Sequence, residues 1–331
     1  MTANAAALLI QHYVDKFRRL PWRSPPGASP PNPYRVWLSE VMLQQTTVAA
    51  VTPRYERFVN RWPTIEALAA ASDARILQEW AGLGYYARAR NLIACAREVA
   101  RRGGFPRTAA ELRHLPGIGA YTSAAIAAIA FGERAPAVDT NVRRVIARLH
   151  GITEPGRAEI ERLFLDLMPD RPGDFVQAMM DLGATICRPN SPRCGECPLK
   201  PECAAFASGD PKAFPRSRAR KARPHRHGIA WWIERDGQVW LVRRPAKGIL
   251  GGMAALPGPE WTDDPPAGQS PLGTVRHIFT HFSLDLHLVA GAEPLGEGWW
   301  HPIAKLDRAG LPTLYRKAAQ LAVGRDDRLA A

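Results

Sequence analysis

The chain has 331 residues, with 44 Lys and Arg against 31 Asp and Glu, and a formal net charge of +13 at neutral pH. This length allows two domains with separate cores, and so large a positive excess favours a polyanionic partner over charge kept for solubility. The first residues carry no basic segment ahead of an apolar run, and no apolar run reaches membrane-spanning length. We therefore expect a soluble, cytoplasmic protein without a membrane partner.

Residues 1–208 have the pattern of an almost entirely helical region. Eight stretches combine helical apolar spacing or alanine-rich composition, and Pro or Gly residues separate them. The predicted helices are 35–50, 64–71, 74–80, 87–102, 121–131, 141–150, 157–167 and 174–186. The proline-rich stretch 24–33 predicts an exposed loop.

Glu40 is the first candidate catalytic group. Its face of the predicted helix also carries Val36, Trp37, Leu43 and Gln44. A carboxyl among such neighbours is disfavoured as an anion, which is what a general acid requires. The helix alone nevertheless favours a simpler alternative, in which Glu40 forms a salt bridge to a nearby arginine.

A glycine hairpin, LPGIG at 115–119, stands before a second candidate acid. Gly117 and Gly119 predict a tight turn and close backbone approach to a ligand. The helix after Gly119 would offer free N–H groups to a phosphate. Asp139 opens a further helix, where an N-cap aspartate is common for purely structural reasons. A catalytic role for Asp139 therefore stays open at this point.

Four cysteines lie within seventeen residues, at Cys187, Cys194, Cys197 and Cys203. In an intracellular chain this density indicates a metal site rather than a disulfide framework. The spacing alone leaves zinc and a [4Fe–4S] cluster equally open. Cys95 stands apart and is predicted to be a small buried hydrophobic residue.

The composition changes after Phe206. Residues 211–233 hold seven Lys and Arg and no acid, which indicates a basic linker, either merely solvated or lying along a phosphate backbone. Asp236-Gly237 between two apolar stretches is a hairpin signal. The predicted strands are 229–234, 239–243, 275–279 and 283–289, followed by a helix at 311–323. This pattern predicts a second, smaller α+β domain.

Six motifs follow one another in the chain: WLSEVMLQQT (37–46), GLGYYARARNL (82–92), LPGIG, VDTNVRR (138–144), QAMMDLG (177–183) and the four-cysteine loop. Together they resemble adenine DNA glycosylases of the MutY family, within the helix-hairpin-helix glycosylase superfamily. Residues 241–258 resemble the opening of a Nudix domain. The resemblance implies an all-α helix-hairpin-helix glycosylase domain at 1–208, a basic linker at 209–227 and an α+β Nudix-like domain at 228–331 that recognises 8-oxoguanine.

The resemblance also implies a reaction, a partner and a cofactor. The partner would be duplex DNA with adenine opposite 8-oxoguanine or guanine, bound at the nucleoid by a monomer, and the four cysteines would hold a [4Fe–4S] cluster. Glu40 would protonate N7 of the flipped adenine. Asp139 would stabilise the oxocarbenium-like sugar, and Asn141 would orient water. Tyr121 stands where strand-cutting relatives have a lysine nucleophile, so we expect a monofunctional enzyme.

The resemblance assigns DNA contacts as well. The expected set is Trp22, Arg23 and Gln177 around the adenine, Leu43, Gln45 and Tyr85 near the base stack, Gly117 and Gly119 at the backbone, and Phe279, Thr280 and His281 at the lesion. Core packing is the alternative for Gln45 and Tyr85, and a half-buried strand histidine is the alternative for His281. Thr280 replaces the family's serine, which puts selectivity for 8-oxoguanine in question. The Nudix-like segment lacks the glutamate-rich helix that would hold metal, so we expect no nucleotide hydrolysis.

Three other functions fit part of the pattern. A DNA-binding protein with a redox-sensing cluster explains the charge and the cysteines, but not Glu40 together with Asp139 and Asn141. A glycosylase for thymine or uracil mismatches fits the helical region, and Gln177 and the Nudix-like domain argue against it. A zinc protein would lack broad visible absorption.

Overall fold

The computed structural model describes residues 2–80, 82–216, 223–245, 248–267, 271–279 and 281–329. The chain divides into two compact units, one formed by 1–79 and 88–219 and the other by 80–87 and 220–331. The predicted basic linker falls partly on 217–222, outside the described residues. None of the helices in the described ranges is both long and apolar enough to cross a membrane.

The first unit is helical, as predicted. Its helices are α1 (Thr2–Asp15), α2 (Pro33–Leu43), α3 (Val48–Arg61), α4 (Ile65–Ala70), α5 (Asp73–Trp80), α6 (Tyr86–Arg101), α7 (Ala109–Leu112), α8 (Ala120–Phe131), α9 (Thr140–His150), α10 (Arg157–Leu167), α11 (Pro172–Asp181) and α12 (Ala204–Ala207). A π-helical turn, Leu182–Ile186, continues α11. Short 3₁₀ turns lie at Cys194–Glu196, Lys200–Glu202 and Pro211–Ala213.

Helix α8 forms the centre of this unit. Nine consecutive residues, from Thr122 to Ala130, are buried, and α2, α7 and α11 pack around them. Alanine occupies most of these positions, so the neighbouring helices can approach closely at little cost in side-chain entropy. The central helix thereby brings α2 and α11, which carry several candidate site residues, to one place. Cys95 is fully buried in α6, as predicted.

The predicted helix 35–50 is confirmed as far as Leu43, where α2 ends, and its continuation to residue 50 is wrong. Gln45 adopts a positive φ of 55°, and α3 then starts at Val48 behind the N-cap Thr47, whose hydroxyl accepts from the Ala50 N–H. The apolar periodicity of the sequence continues between the two helices, so it did not predict that the helix ends there. Helix α1 was not among the predicted helices.

The second unit is the predicted α+β domain. Its strands are β1 (His225–Trp232), β2 (Glu234–Arg235), β3 (Gln238–Arg243), β4 (Ala254–Ala255), β5 (Gly273–Ile278), β6 (Ser283–Ala290) and β7 (Gly298–Pro302). One sheet has the order β1-β6-β5, with β1 parallel to β6. The other joins β2, β3 and β4, with β7 paired to β3. A 3₁₀ segment, Ile303–Arg308, precedes α13 (Thr313–Leu329).

The predicted turn at Asp236-Gly237 is confirmed, with φ values of 52° and 68°, and it joins β2 to β3. The longer β1 does not pair across that turn but lies beside β6 in the other sheet. Helix α13 packs on β1, β5 and β6, and its Leu314, Ala318 and Ala322 are buried with the apolar sides of the strands.

Candidate active site

Glu40 is a buried carboxyl in α2, with 7% of its surface exposed. The helix begins firmly, because the Asn32 side chain accepts from the Tyr34 N–H at 2.9 Å and Pro33 occupies the first turn. Burial raises the pKa of Glu40 to about 7, and the Asp139 charge adds to the rise, while Tyr121 and Arg23 oppose it. Within the described residues no Lys, Arg or His nitrogen lies within 4.0 Å of this carboxyl. The salt-bridge alternative therefore does not describe Glu40.

Arg23, the nearest basic influence, is already paired. Its guanidinium makes two hydrogen bonds to the Asp181 carboxylate, of 2.6 and 3.0 Å, and Arg18 adds a third at 2.9 Å. The Arg23 side chain is only 7% exposed. Such a bidentate pair is rigid and partly cancels the charge of the guanidinium. Asp181 thereby limits how far Arg23 can favour the ionised form of Glu40.

Asp139 has the opposite surroundings. It caps α9, and its two oxygens accept from the Val142 N–H at 2.7 Å and from Asn141 Nδ2 at 2.9 Å. Asn141 Oδ1 in turn accepts from Arg144 Nη2 at 3.1 Å. The helix N-terminus and these donors stabilise negative charge on Asp139.

Gly183 packs directly against Asn141. A Cβ atom at Gly183 would lie 2.9 Å from Asn141 Cβ, closer than side chains approach without something shifting. Arg144 Nη2 also donates to the Gly183 carbonyl at 2.8 Å. The end of α11 and its π-turn therefore hold Asn141 where it meets Asp139.

Tyr121 lies in the first turn of α8, beside both acids. The charges of Glu40 and Asp139 together with burial raise the pKa of its phenol, burial being the largest cause. The hydroxyl donates to Met180 Sδ at 3.7 Å. Tyr121 is thus a neutral phenol that is hydrogen-bonded to Glu40 and feels the charge of Asp139.

The two hairpin glycines differ from each other. Gly117 has φ 75°, and a Cβ there would meet Asn91 Cβ at 2.6 Å. Gly119 has φ −88° and is the N-cap of α8 without a side-chain cap, so unlike Gly117 it does not use a left-handed backbone. Among the described residues, nothing lies within 4 Å of a Cβ built at Gly119. The start of α8 therefore has open space for a ligand to approach its N–H groups.

Gln45 and Tyr85 share an unusual backbone. Both are exposed non-glycine residues with positive φ, of 55° and 48°. This conformation costs of order 1–3 kcal/mol and is found where structure and function fix it. Exposure argues against core packing for both. Leu43, the last residue of α2, is half-buried.

Trp22 and Gln177 are both buried in the helical unit. Trp22 contacts Tyr55 edge-to-face, with ring centroids 5.0 Å apart. Gln177 Nε2 donates one of its two N–H hydrogens to the Gly173 carbonyl at 3.1 Å, within its own helix. Its amide oxygen is the atom left to accept from a ligand.

The four loop cysteines are half-buried free thiols. Burial, and then the neighbouring Cys187, Cys203 and Cys194, raise the pKa of Cys197 to about 12. Arg148 braces this loop: Nη1 lies 3.4 Å from Cys187 Sγ and donates to the Arg188 carbonyl at 2.7 Å. Arg144 Nε donates to the Cys187 carbonyl at 2.8 Å.

The loop offers four thiol sulfurs as possible ligands. Four thiolates are a donor set that both a zinc ion and a [4Fe–4S] cluster use.

In the second unit, Phe279 and His281 lie in the tight turn between β5 and β6 and not on a strand, so the predicted strand end at Phe279 is wrong. The Phe279 N–H donates to the Phe282 carbonyl at 2.9 Å, and the Phe279 ring contacts Trp261, Phe282 and His277. His281 is exposed, which excludes a half-buried strand histidine. Thr280 lies outside the described residues.

Comparison with known proteins agrees with this geometry. Residues 38–170 match the family described as HhH-GPD superfamily base excision DNA repair protein, and 228–321 match the NUDIX domain family. The adenine DNA glycosylase of Mus musculus is 34% identical over 350 residues, covering 83% of this chain and 68% of that protein. The chain belongs to the adenine DNA glycosylase family. The Homo sapiens family member is 35% identical over 352 residues, and the match spans 83% of this chain but only 64% of the human protein.

A solved structure supports the fold of the first unit. A thermostable thymine-DNA glycosylase superposes with a TM-score of 0.55 at 29% identity, over 61% of this chain and 95% of that one. The helical glycosylase fold is therefore shared beyond adenine DNA glycosylases.

Sequence reasoning missed three supporting residues of this family member: Asp181, Gly183 and Arg148. Asp181 and Gly183 both lie within the motif QAMMDLG, but the sequence did not show which residues they contact. Arg148 follows Arg144 by one helical turn and shares its face of α9. The four-residue spacing of Arg144 and Arg148, together with the cysteine loop that follows, could have predicted that both arginines contact that loop.

Proposed function

We propose that this chain is a monofunctional glycosylase that hydrolyses the N-glycosidic bond of adenine paired with 8-oxoguanine or guanine in duplex DNA. The observation that carries the proposal is Glu40, a buried carboxyl whose pKa is raised to about 7, beside a hydrogen-bonded Asp139. Two carboxyls with opposite environments are what acid-assisted glycosidic hydrolysis needs.

Glu40 acts first as the general acid. Adenine is a poor leaving group as an anion, so a proton on N7 lets it depart neutral. A pKa near 7 keeps a large share of Glu40 protonated at neutral pH and leaves it able to release that proton. After base departure, the Glu40 carboxylate accepts a proton from the attacking water.

Asp139 stabilises the positive sugar that remains. Its oxygens are held by the Val142 N–H and the Asn141 amide, so little reorganisation is needed as charge develops. Asn141, fixed by Arg144, is also placed to orient water.

Tyr121 supports base removal without strand cleavage. A phenol cannot form the imine that a lysine nucleophile would form with the opened sugar. Burial and the two acids keep this phenol protonated, so it serves as a neutral neighbour of the leaving base.

Adenine would be flipped from the duplex into a pocket bordered by Trp22, Arg23 and Gln177. An amide side chain can pair with adenine through two hydrogen bonds, and Gln177 Nε2 has a second N–H hydrogen beside the one donated to the Gly173 carbonyl. Gln45 and Tyr85 would contact the opened stack, together with Leu43. The N–H groups behind Gly117 and Gly119 would bind backbone phosphate.

The four cysteines would hold a [4Fe–4S] cluster, because four thiolates are the ligand set of such a cluster and Cys187, Cys194 and Cys203 lie close enough to Cys197 to act on it electrostatically. We assign the cluster a structural role: it would tie the loop so that exposed Arg188, Arg193 and Lys200 face phosphates. Backbone N–H groups of Leu199 and Ala205 approach Cys197 and Cys203 and would stabilise cluster sulfur charge.

In the second unit, Phe279, Thr280 and His281 would read 8-oxoguanine. The aromatic rings in contact with Phe279 offer a surface on which a base can stack. Monomeric action and a cytoplasmic, nucleoid-associated location stay predictions.

Single-turnover base release on a panel of duplexes tests the proposal. We expect fast adenine release opposite 8-oxoguanine, slower release opposite guanine, no thymine or uracil release, and no borohydride-trapped adduct. Thr280→Ser should raise the ratio of the first two rates. Release of thymine in preference to adenine would contradict adenine as the substrate. Efficient borohydride trapping would contradict the monofunctional assignment.

A further inference from the structure

A second cluster of chemically active side chains lies in the second unit, on the face of the β1-β6-β5 sheet that points away from its core. The parallel register places His227 opposite Asp285 and His225 opposite Ser283. Their strand neighbours Ala230 and Leu286 point into the core, as the two-residue period requires. One ligand atom from each of His225, His227 and Asp285 lies within 4.8 Å of the other two.

Further partners fix the two histidine rings. His225 Nδ1 lies 2.7 Å from Ser283 Oγ, and His227 Nδ1 lies 3.4 Å from His287 Nε2. His287 Nδ1 is held in turn by Thr274 Oγ1 at 3.1 Å. Because both Nδ1 atoms are engaged, Nε2 is the ligand atom that each ring can offer, and in His225 that atom faces Asp285 Oδ2 at 3.2 Å. Metal-binding histidines are oriented in the same way, through the nitrogen that does not bind.

Asp285 supplies the anionic member of the group. Its Oδ2 lies 3.2 Å from His225 Nε2. Its Oδ1 is buried and accepts no hydrogen bond from any described residue, although Arg276 Nε lies 3.6 Å away as an ion-pair partner. A neutral His225 with a bare Nε2 would repel this carboxylate, so either a proton or a cation must lie between them.

We propose that His225, His227 and Asp285 bind one divalent transition-metal ion of the zinc type, with water completing the coordination. Two imidazoles and one carboxylate suit zinc and its neighbours, whereas magnesium and calcium prefer sets made entirely of oxygen. The ion would replace the proton between His225 and Asp285 and would join β1 to β6, which are distant in sequence. This site is independent of the glycosylase chemistry.

Metal uptake by the full chain tests the site. After removal of loosely bound metal, native mass spectrometry and calorimetry with Zn²⁺ should show one more ion per wild-type chain than per H227Q/D285N chain. The difference between the two proteins discounts any zinc taken up by the cysteines. Mg²⁺ should not substitute, and uptake at the site should fall between about pH 8 and pH 5.5, because protons compete for the imidazoles.

Single variants keep the test decisive if the double variant folds poorly. H225Q and H227Q should each weaken zinc binding more than about tenfold, since even outer partners of a metal site contribute 10–100-fold. His301 lies on β7 and donates from Nε2 to the Lys305 carbonyl at 2.9 Å, so H301Q is the matched control and should bind as wild type does. Equal zinc uptake by wild type, H225Q and H227Q would overturn the site.

Discussion

The two carboxyls of the candidate active site occupy contrasting regions. Glu40 is buried in α2, and Arg23, the guanidinium that acts on it, is bound to Asp181. Asp139 lies at the open end of α9, where a backbone N–H and the Asn141 amide hold both of its oxygens. Burial is the largest influence on Glu40 and outweighs its hydrogen bond with Tyr121, whereas two N–H donors hold Asp139. The contrast shows how one fold can keep a proton on one carboxyl and negative charge on another.

Removing the buried acid should have the largest effect. Glu40→Gln keeps the shape but cannot deliver or accept the proton, so single-turnover adenine release should fall by about 10²–10⁴-fold. Glu56→Gln, at an exposed position on α3, should leave the rate unchanged. A Glu40→Gln rate within a few-fold of wild type would remove Glu40 from the mechanism.

The folding stability of Glu40→Gln shows whether a loss of rate comes from the missing proton or from a less stable fold. Folding raises the pKa of Glu40 from 4.5 to about 7, so ionisation across that range destabilises the folded state. Wild-type stability should therefore fall as pH rises from about 4.5 to above 7, and Glu40→Gln should be more stable than wild type at pH 8, by on the order of 1–3 kcal/mol. Thermal unfolding at both ends of this range measures the difference.

The second largest effect should come from the anionic acid. Asp139→Asn retains a good helix N-cap but removes the charge, so adenine release should slow by about 10²–10³-fold with little change in melting temperature. Duplex binding should persist. If neutralising Asp139 left the rate intact, the contrast between the two acids would have no catalytic meaning.

Asp181→Asn should reduce the difference between the surroundings of Glu40 and Asp139, because it removes the charge that is paired with Arg23. With its partner neutralised, Arg23 would act more strongly on Glu40 and lower the pKa of that carboxyl. Because the general acid must be protonated, the falling arm of the pH–rate profile should move to lower pH by about one unit, with about a tenfold loss of rate at pH 7.5. Asp166→Asn, in an exposed pair with Arg162, is the control and should leave the profile unmoved.

Local signals in the sequence carried much of this site. The Asp139 cap, the Gly117 turn and the Asp236-Gly237 hairpin depend on neighbours along the chain and were predictable. The break at Gln45 was not, because no sequence rule marks a glutamine with positive φ. The Arg23–Asp181 pair joins residues 158 positions apart, and the parallel pairing of β1 with β6 is equally non-local. Such contacts follow from the packed fold and not from local propensity.

The smallest effect should come from the support of Asn141. Gly183→Ala places a methyl group 2.9 Å from Asn141 Cβ, which should shift the amide and destabilise the fold by about 1–3 kcal/mol. Adenine release should slow several-fold, and the pKa of Glu40 should not change. Gly195→Ala, where nothing described lies within 4 Å of the added atom, provides the comparison. Equal behaviour of the two variants would show that Asn141 does not depend on Gly183.

The most direct test of the contrast is the titration of Glu40 itself in the free protein. Carboxyl-labelled glutamate followed by NMR should show one resonance, absent from Glu40→Gln, that titrates near pH 7. Asp181→Asn should move that midpoint downward. A Glu40 resonance titrating near its ordinary value of 4.5 would contradict the account, because the buried acid would then hold no proton to give at neutral pH.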